Sequence, residues 1–339
     1  MDEPAQFLEV LRRDGHVRDP QARVVPLTGG VSSEIYLVED GPNKFVVKRA
    51  LAKLKVKDDW FADVSRNASE RNYLEVVGRL LPKNVPQILF ADSDAGYFGM
   101  EFLGGGFANW KQLLLAGDCR TQHAEMAGKI LGEIHRRTRN DDSLRQKFDT
   151  TANFRQLRLE PYLLTTGARH PELQKYFVAE ATRIEATCEC LVHGDFSPKN
   201  ILILGDRMVL LDCEVAWYGD PVFDVAFLLN HFFLKWLRHA PLDPGMEKMI
   251  TGFWRQYMVS VQSSSATFSP RVLRLLPLLL LARVDGKSPV EYLDPARQAF
   301  IRKFVTTELR QNRIELEPFV ESWAEKCRSL QPTSLSNEN

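Results

Sequence analysis

The stretch from Cys190 to Glu214 constrains the fold more than any other part of the 339-residue chain. Two runs of β-forming residues, Ile201–Leu204 and Met208–Leu211, flank turn formers at 205–207. Each run is too short for a helix, so the pattern predicts a β-hairpin. A polar loop precedes the hairpin, and Asp212 follows its second strand. A hairpin that folds back on itself would bring this carboxylate next to the loop.

The loop and the strand end carry four polar side chains: His193, Asp195, Asn200 and Asp212. Two carboxylates and an amide at one place are unfavourable in a core, because buried charges are costly unless they are paired or bound to metal. Such oxygen ligands suit hard divalent cations such as Mg²⁺. The pattern H-x-D-x-x-x-x-N, followed by an Asp at a strand end, is that of kinase-type phosphoryl-transfer enzymes.

The variant H-G-D-F-S-P-K-N resembles the aminoglycoside phosphotransferase and choline kinase superfamily, whose members phosphorylate small molecules. The resemblance implies that Asp195 orients the acceptor hydroxyl and takes its proton, while Asn200 and Asp212 hold Mg²⁺. His193 is expected to hold the shape of the loop. Glu214 is a further candidate ligand, because its side chain lies on the same side as Asp212 if the strand continues.

The N-terminal third is predicted to form five strands and one main helix. The strands are expected at Arg23–Leu27, Glu34–Glu39, Phe45–Arg49, Gln87–Ala91 and Tyr97–Leu103. The connection between the first two is rich in glycine and hydroxyl groups, which can turn backbone N–H groups toward an anion or form a plain hairpin turn. The resemblance implies that it steadies the phosphates of ATP. The residues concerned are Gly29, Gly30, Ser32 and Ser33.

Lys48 lies in a strand, F-V-V-K-R, that otherwise alternates toward a core. It either points to solvent on an edge strand or needs an anionic partner, because an unpaired buried ammonium is unfavourable. A helix predicted over Ala62–Leu81 offers Glu70 and Glu75. Glu70 is preferred because it precedes the apolar face of that helix. In kinases a helix Glu holds the Lys that clamps the α- and β-phosphates.

The fifth strand runs through Glu101 and Leu103 into three glycines. A strand end of this kind makes a flexible connection with exposed backbone groups. The resemblance implies a kinase hinge, where the Glu101 carbonyl and the Leu103 N–H hydrogen-bond adenine.

Helical periodicity dominates from Ala108 onward. Helices are predicted at Trp110–Ala116, His123–Arg139, Phe154–Leu164, Pro171–Thr187, Phe223–Trp236, Met246–Val261, Arg271–Val284 and Asp294–Ile314. The third and fourth form an insertion that a minimal protein kinase lacks. The resemblance implies that this insertion helps to wall the acceptor site. His135, in the second helix, is predicted to be a packing residue.

The segment after Asp212 disfavours a peptide substrate. Cys213 and Glu214 replace the Phe-Gly of protein kinases, no Ala-Pro-Glu segment follows, and Gly194 replaces the Arg beside the catalytic Asp. The later run G-D-P-x-x-D-x-A resembles a phosphotransferase signature. It implies that Asp224 braces the catalytic loop through backbone hydrogen bonds. Asp220 is predicted to form a turn or to cap the following helix, with Pro221 at its start.

The class of acceptor stays open at this point. An aminoglycoside needs an acidic cleft, choline an aromatic cage, and a sugar a polar pocket. Acids and aromatic residues are both available in the second half of the chain: Glu214, Asp220, Asp285 and Glu291, and Trp217, Tyr218, Phe223, Trp254 and Tyr257. Arg283 and Asp285 either line the acceptor site or anchor a turn.

Composition excludes some partners. The 44 basic and 44 acidic residues balance, so charge gives no general attraction to nucleic acid or an anionic membrane. The start of the chain lacks the features of a signal peptide, and the apolar run Leu275–Ala282 predicts a buried helix. Five scattered cysteines are expected to be small apolar residues in a reducing compartment. These features favour a cytoplasmic protein.

The sequence therefore predicts an α+β, protein-kinase-like fold with two lobes. Residues 1–103 would form the nucleotide-binding lobe around a five-stranded antiparallel sheet, residues 104–330 a helical lobe, and residues 331–339 a disordered tail. The predicted function is ATP-dependent phosphoryl transfer to a hydroxyl of a small molecule. An inactive nucleotide-binding module of the pseudokinase type and a protein kinase are the alternatives.

Overall fold

The computed structural model describes residues 3–27, 33–50, 66–311 and 313–331. The chain divides into two compact units. The first comprises Met1–Phe107 with Leu211–Glu214, and the second comprises Ala108–Leu210 with Val215–Asn339. Nearly all of the predicted C-terminal tail, from 332 onward, lies outside the described residues.

A five-stranded antiparallel sheet forms the centre of the first unit, which confirms the predicted fold class. Its strands are β1 (Arg23–Pro26), β2 (Ser33–Asp40), β3 (Asn43–Ala50), β4 (Ile88–Asp92) and β5 (Tyr97–Glu101). Their order is β1-β2-β3-β5-β4. Because β3 lies between β2 and β5, Lys48 is not on an edge strand. The solvent-facing alternative for this lysine was wrong, since its side chain is buried.

Two helices accompany the sheet, α1 (Glu3–Arg13) and α2 (Arg66–Leu80). The apolar face of α1 packs on strand residues: the Phe7 ring lies 5.3 Å from that of Tyr36 and 5.5 Å from that of Tyr97. The first residues of the predicted second helix, 62–65, lie outside the described residues.

Short strands in the second unit hold the polar loop. They are β6 (Ala108–Asn109), β7 (Cys190–Val192), β8 (Ile201–Leu204), β9 (Arg207–Leu210) and β10 (Trp217–Gly219). The β8–β9 hairpin is confirmed, with Ile201 opposite Leu210 and Leu204 opposite Arg207. A two-residue turn closes it, and Gly205 takes the positive φ of 54° that such a turn needs. The lead-in β7 pairs with β10, a strand that the sequence did not predict.

Helices make up most of the second unit. They are α3 (Trp110–Leu115), α4 (Thr121–Arg137), α5 (Asp142–Lys147), α6 (Thr151–Phe154), α7 (Thr165–Arg169), α8 (Gln174–Glu185), α9 (Val222–His239), α10 (Met246–Val261), α11 (Ser265–Asp285), α12 (Pro295–Gln311) and α13 (Leu316–Arg328). A π-helical segment, Arg155–Leu164, joins α6 to α7 and contains Pro161. Proline lacks the N–H that regular α-helical bonding needs, which fits the irregular winding here.

Helix α11 is longer than predicted and continues through Pro270 and Pro277. By length and composition alone it is apolar enough to cross a membrane. However, 67 % of its most apolar window is buried inside the second unit. It is therefore packed as a core helix, as the sequence predicted.

Helices α4 and α10 cross at very short range because two glycines face the contact. A methyl group on Gly128 would lie 2.5 Å from the Phe253 carbonyl oxygen, and one on Gly132 would lie 3.0 Å from the Tyr257 carbonyl oxygen. Only glycine permits this approach of the two backbones. The crossing carries Tyr257 to within hydrogen-bond distance of α4.

We expect Gly128→Ala to destabilise the chain by about 1–3 kcal/mol, because the added methyl group must push α10 away. Urea unfolding of the purified protein measures the change. Lys129→Ala, at the next and exposed position of α4, is the control. Equal unfolding midpoints for the two variants would show that the helices separate without cost.

Candidate active site

Lys48 is the centre of a buried charge cluster in the first unit. Its Nζ lies 2.7 Å from Glu70 Oε2 and 2.7 Å from Asp212 Oδ1. Glu75, the competing sequence candidate, instead lies 3.7 Å from Arg71. The central strand β3, the helix α2 and the segment after β9 thus each supply one charged group.

Electrostatics keep this lysine charged. Burial alone would lower the pKa of Lys48, but attraction by Asp212, Glu70 and Glu214 raises it well above its ordinary value. Burial also raises the pKa of Glu70 to about 7, although the neighbouring ammonium of Lys48 opposes that rise. Lys48 is therefore a permanent cation at neutral pH, whereas Glu70 titrates there.

Asp212 lies just beyond strand β9, which ends at Leu210. Its backbone is left-handed, with a φ of 59°, a conformation that Asp tolerates better than most residues. The strand therefore does not continue to Glu214, and the side-by-side alignment expected from D-x-E is not present. Glu214 lies in a turn, yet it is near enough to raise the pKa of Lys48.

The predicted adenine contacts lie at the end of β5. The N–H of Glu101 donates to the Gln87 carbonyl at 2.8 Å. For the Leu103 N–H, the described part of the chain provides no hydrogen-bond acceptor. Gly29, Gly30 and Ser32 of the predicted phosphate loop lie outside the described residues, while Ser33 begins β2 opposite Ala50.

The polar loop of the second unit closes on itself through hydrogen bonds. The Asp195 N–H donates to His193 Nδ1 at 3.2 Å, and Asn200 Nδ2 donates to the Asp195 carbonyl at 3.1 Å. Gly194 has a φ of 76°, and a methyl group there would lie 2.4 Å from the Val215 carbonyl oxygen. His193 therefore shapes the loop as predicted, and Gly194 is required by the backbone.

A buried carboxylate supports the loop from below. Asp224 Oδ2 accepts from the His193 N–H at 2.7 Å, and Oδ1 accepts from the Gly194 N–H at 3.0 Å. This confirms the predicted brace. His135 links it to α10, with Nε2 3.4 Å from Asp224 Oδ2 and Nδ1 2.9 Å from the Tyr257 hydroxyl. His135 thus packs in the core and also contacts both Asp224 and Tyr257 through its ring nitrogens.

Asp195 contacts two cations that the sequence did not assign to it. Its Oδ2 lies 3.1 Å from Arg158 Nη2 and 3.0 Å from Lys199 Nζ. Arg158 comes from the π-helical segment and also donates from Nε to the Gly194 carbonyl at 2.5 Å. The sequence predicted that this insertion walls the acceptor site, but no local spacing indicated which side chain reaches Asp195.

Other candidates have structural roles. Asp220 accepts from the Val222 N–H at 2.9 Å at the start of α9 and pairs with Arg183 and Arg271. Asp285 anchors a turn, at 2.9 Å from His170 Nε2 and 2.7 Å from Arg302 Nη2. The aromatic residues considered for a cation cage are buried in the core: Trp217, Tyr218, Phe223, Trp254 and Tyr257.

The predicted Mg²⁺ ligands are divided between the two units, with Asp212 in the first and Asn200 in the second. The Asp212 side chain keeps 35 % of its surface exposed although Oδ1 contacts Lys48. Asn200 directs its Nδ2 at the Asp195 carbonyl, so its other amide atom is an oxygen acceptor. A carboxylate and an amide oxygen are ligands that a hard divalent cation accepts. Each residue therefore offers an oxygen of the kind that the ion accepts.

Comparison with known proteins decides the family. A sequence model described as the phosphotransferase enzyme family matches residues 23–248. The matched range includes Lys48 with its two carboxylates and Asp195 with Arg158 and Lys199. The chain belongs to this family.

Two curated relatives share low sequence identity with this chain. An N-acetylmuramate/N-acetylglucosamine kinase of Neisseria meningitidis is 24 % identical over 54 % of this chain and 56 % of its own length. A methylthioribose kinase of Pectobacterium atrosepticum is 21 % identical over 68 % of this chain and 64 % of its own length. The chain therefore spans less than two thirds of the length of either relative.

Solved structures show the same fold. An amicoumacin kinase bound to AMP-PNP and Ca²⁺ covers 94 % of this chain and 100 % of its own, with 14 % identity and a TM-score of 0.57. A choline kinase of Cryptosporidium parvum covers 95 % of this chain and 98 % of its own, with 12 % identity and a TM-score of 0.53. These likenesses confirm the predicted protein-kinase-like fold.

The raised pKa of Glu70 predicts a pH-dependent stability. The folded state binds a proton on Glu70 more tightly than the unfolded state does, so protonation of Glu70 stabilises the fold. This stabilisation is fully present below the unfolded pKa of 4.5 and is lost as the pH rises through the folded pKa of about 7. The unfolding free energy of the wild type, relative to Glu70→Gln, should therefore fall between these pH values, by at most about 1.4 kcal/mol per pH unit. Urea titrations at pH 4.5 to 8 measure it. Glu75→Gln, on the same helix, is the control, and a constant difference for Glu70→Gln would contradict the prediction.

Asp224→Asn should destabilise the chain by about 2–4 kcal/mol, because an amide cannot replace both charge-assisted acceptors of the loop N–H groups. Chemical unfolding gives the magnitude. Amide hydrogen exchange at His193 and Gly194 should accelerate in the variant. The matched control is Asp142→Asn, since that side chain is 85 % exposed. Unchanged exchange at the two loop amides would argue against the brace.

Proposed function

We propose that this chain transfers the γ-phosphoryl group of ATP to a hydroxyl group of a small molecule. The observation that carries the proposal is the buried contact of Lys48 with Glu70 and Asp212. A stability role alone explains it poorly, because two carboxylates around one lysine in a core are costly without a further cation or a ligand. Kinase-type phosphoryl transfer uses this set of groups.

We assign the first unit to the nucleotide. Lys48 would contact the α- and β-phosphates, with Glu70 holding its ammonium in place. The glycine and serine residues of the 28–33 connection would steady the same phosphates. The Glu101 carbonyl and the Leu103 N–H would hydrogen-bond adenine, since backbone groups at a strand end can recognise a base edge without side chains.

We assign the second unit to the acceptor. Asp195 would orient the reacting hydroxyl and accept its proton, held in position by its own loop and by Arg158 and Lys199. A positioned acid or base of this kind contributes ~10²–10⁴ in rate. Asn200 and Asp212, with Glu214 as a further candidate, would hold Mg²⁺, which neutralises charge on the phosphate oxygens when bound.

The relatives support the choice of a small acceptor. One is named for N-acetylmuramate and N-acetylglucosamine and the other for methylthioribose, all of them hydroxylated small molecules. The short segment between Asp212 and Asp224 leaves no room for the long activation segment on which protein kinases dock peptides. An inactive nucleotide-binding module is expected to lack at least one of four residues. This chain has all of them: Lys48, Asp195, Asn200 and Asp212.

The test is ATP consumption by the purified chain with Mg²⁺ and a panel of sugars, amino-alcohols, aminoglycosides and peptides. For the best acceptor, Asp195→Asn should lower kcat by ~10²–10⁴ and leave nucleotide binding intact. Asp206→Asn, in the exposed hairpin turn that follows the same loop, is the matched control. Turnover of peptides alone would contradict a small-molecule acceptor, and full activity of Asp195→Asn would remove the proposed base.

A further inference from the structure

Several cationic side chains of the second unit lie close to Asp195 or to the buried His231. Arg158 and Lys199 contact the Asp195 carboxylate directly. Arg283, Lys235 and Lys111 lie beyond them, and all but Arg158 act electrostatically on the same buried imidazole, His231. We call these five residues the cationic cluster.

Contacts through aromatic rings connect the cluster to the catalytic loop. The Phe227 ring of α9 lies 6.0 Å from the Arg158 guanidinium, 5.5 Å from the Tyr162 ring and 5.4 Å from the His231 ring. Arg283 Nη1 donates to the Tyr162 hydroxyl at 3.3 Å. A chain of side-chain contacts therefore runs from Asp195 through Arg158, Phe227 and Tyr162 to Arg283 near the end of α11.

Lys235 is the least compensated member of this cluster. It lies one helical turn after His231 on α9, and only 1 % of it is exposed. No carboxylate of the described residues lies within ion-pair distance of its ammonium, which sits 5.4 Å from the centre of the Tyr292 ring. Burial lowers the pKa of Lys235 to about 7, and repulsion by Arg283 and Lys111 adds to this effect.

Further polar atoms next to Lys235 lack partners. Arg283 Nε, His231 Nδ1 and the Tyr292 hydroxyl are buried without a hydrogen bond in the described part of the chain. Two of these are donors, and His231 can become one according to its tautomer. Native structures rarely leave several buried donors unsatisfied at one place, so the region lacks an acceptor.

The carboxylates near the cluster are too few to balance it. Asp195 faces Arg158 and Lys199, while Glu291 binds Lys111 at 2.6 Å and is 66 % exposed. Asp220 is already paired with Arg271, and Asp285, at the end of α11, is already paired with Arg302. An ammonium-bearing acceptor would meet repulsion here, whereas an anion would neutralise Lys235 and accept from the unsatisfied donors.

We propose that the cationic cluster binds an anionic group of the acceptor, a carboxylate or a phosphate, and so selects acidic hydroxylated molecules over neutral and cationic ones. The proposal rests on the proposed function and narrows its substrate class. Lys235 and Arg283 would contact the anion, while Asp195 faces the hydroxyl.

The test compares hexose derivatives of different charge: glucuronate, glucose 6-phosphate, glucose and glucosamine. Calorimetry on the full chain, with the nucleotide site saturated by AMP-PNP and Mg²⁺, measures their binding without requiring turnover. We expect glucuronate or glucose 6-phosphate to bind at least about tenfold more tightly than glucose and glucosamine. The stronger of the two shows whether the anion is a carboxylate or a phosphate. No preference for the acidic sugars, including no binding by any of them, would overturn the proposal.

Lys235→Met separates a binding role from a structural one. Methionine fills the same volume without charge, so the thermal midpoint should stay equal or rise, because a buried unpaired ammonium is removed. The preference for the acidic sugar should fall about tenfold in the same variant. Lys248→Met, an exposed lysine on α10, is the control, and Arg283→Gln is the second test variant. An unchanged preference in both Lys235→Met and Arg283→Gln would exclude the cluster as the anion site.

The two proposals can fail separately. Phosphoryl transfer to glucose or glucosamine alone would support the proposed function and overturn the anionic acceptor. Tight, Lys235-dependent binding of an acidic sugar without any phosphoryl transfer would support the anion site and contradict the proposed function.

Discussion

The second unit depends on one buried carboxylate, Asp224. Its two oxygens accept from the successive N–H groups of His193 and Gly194, which fixes the backbone immediately before Asp195. A buried charge of this kind is favourable only when its acceptor sites are filled, so the loop and the carboxylate stabilise each other. His135 and Tyr257 extend the network to α10. The position of the Asp195 carboxylate therefore depends in part on Gly128 and Gly132, which let α4 and α10 approach.

The first unit also contains a buried charge, but there ion pairs compensate it and not backbone N–H groups. Lys48 is buried in a central strand, and two carboxylates from distant parts of the sequence hold it charged. The two carboxylates differ in their exposure. Glu70 is buried and has a pKa of about 7, whereas Asp212 keeps part of its surface exposed. One carboxylate is thus enclosed with the lysine, while the other keeps part of its surface toward solvent.

Local spacing made much of this arrangement predictable. Short-range patterns identify the H-G-D-x-x-x-x-N loop and the hairpin, whereas the Asp224 brace was implied by the resemblance to a phosphotransferase signature. The preference for Glu70 over Glu75 came from helical periodicity. Arg158 could not be found in this way, because its contact with Asp195 depends on how the insertion packs. The grouping of Lys235 with Arg283 and Lys111 likewise depends on how α9 packs. Helix α13 was not predicted, although Leu316, Phe319, Val320 and Trp323 have helical spacing.

Gly194 has a consequence for the evolution of control. Protein kinases commonly respond to a phosphate on their activation segment through an arginine at this position, so that a distant modification reorganises the catalytic loop. Here the Val215 carbonyl occupies the space where any side chain would begin, and the backbone is left-handed. The guanidinium beside Asp195 is supplied instead by Arg158, which belongs to the π-helical segment. A single substitution of Gly194 by arginine therefore cannot place a phosphate-responsive guanidinium in this loop, and a change of charge beside Asp195 would have to act through the π-helical segment that carries Arg158.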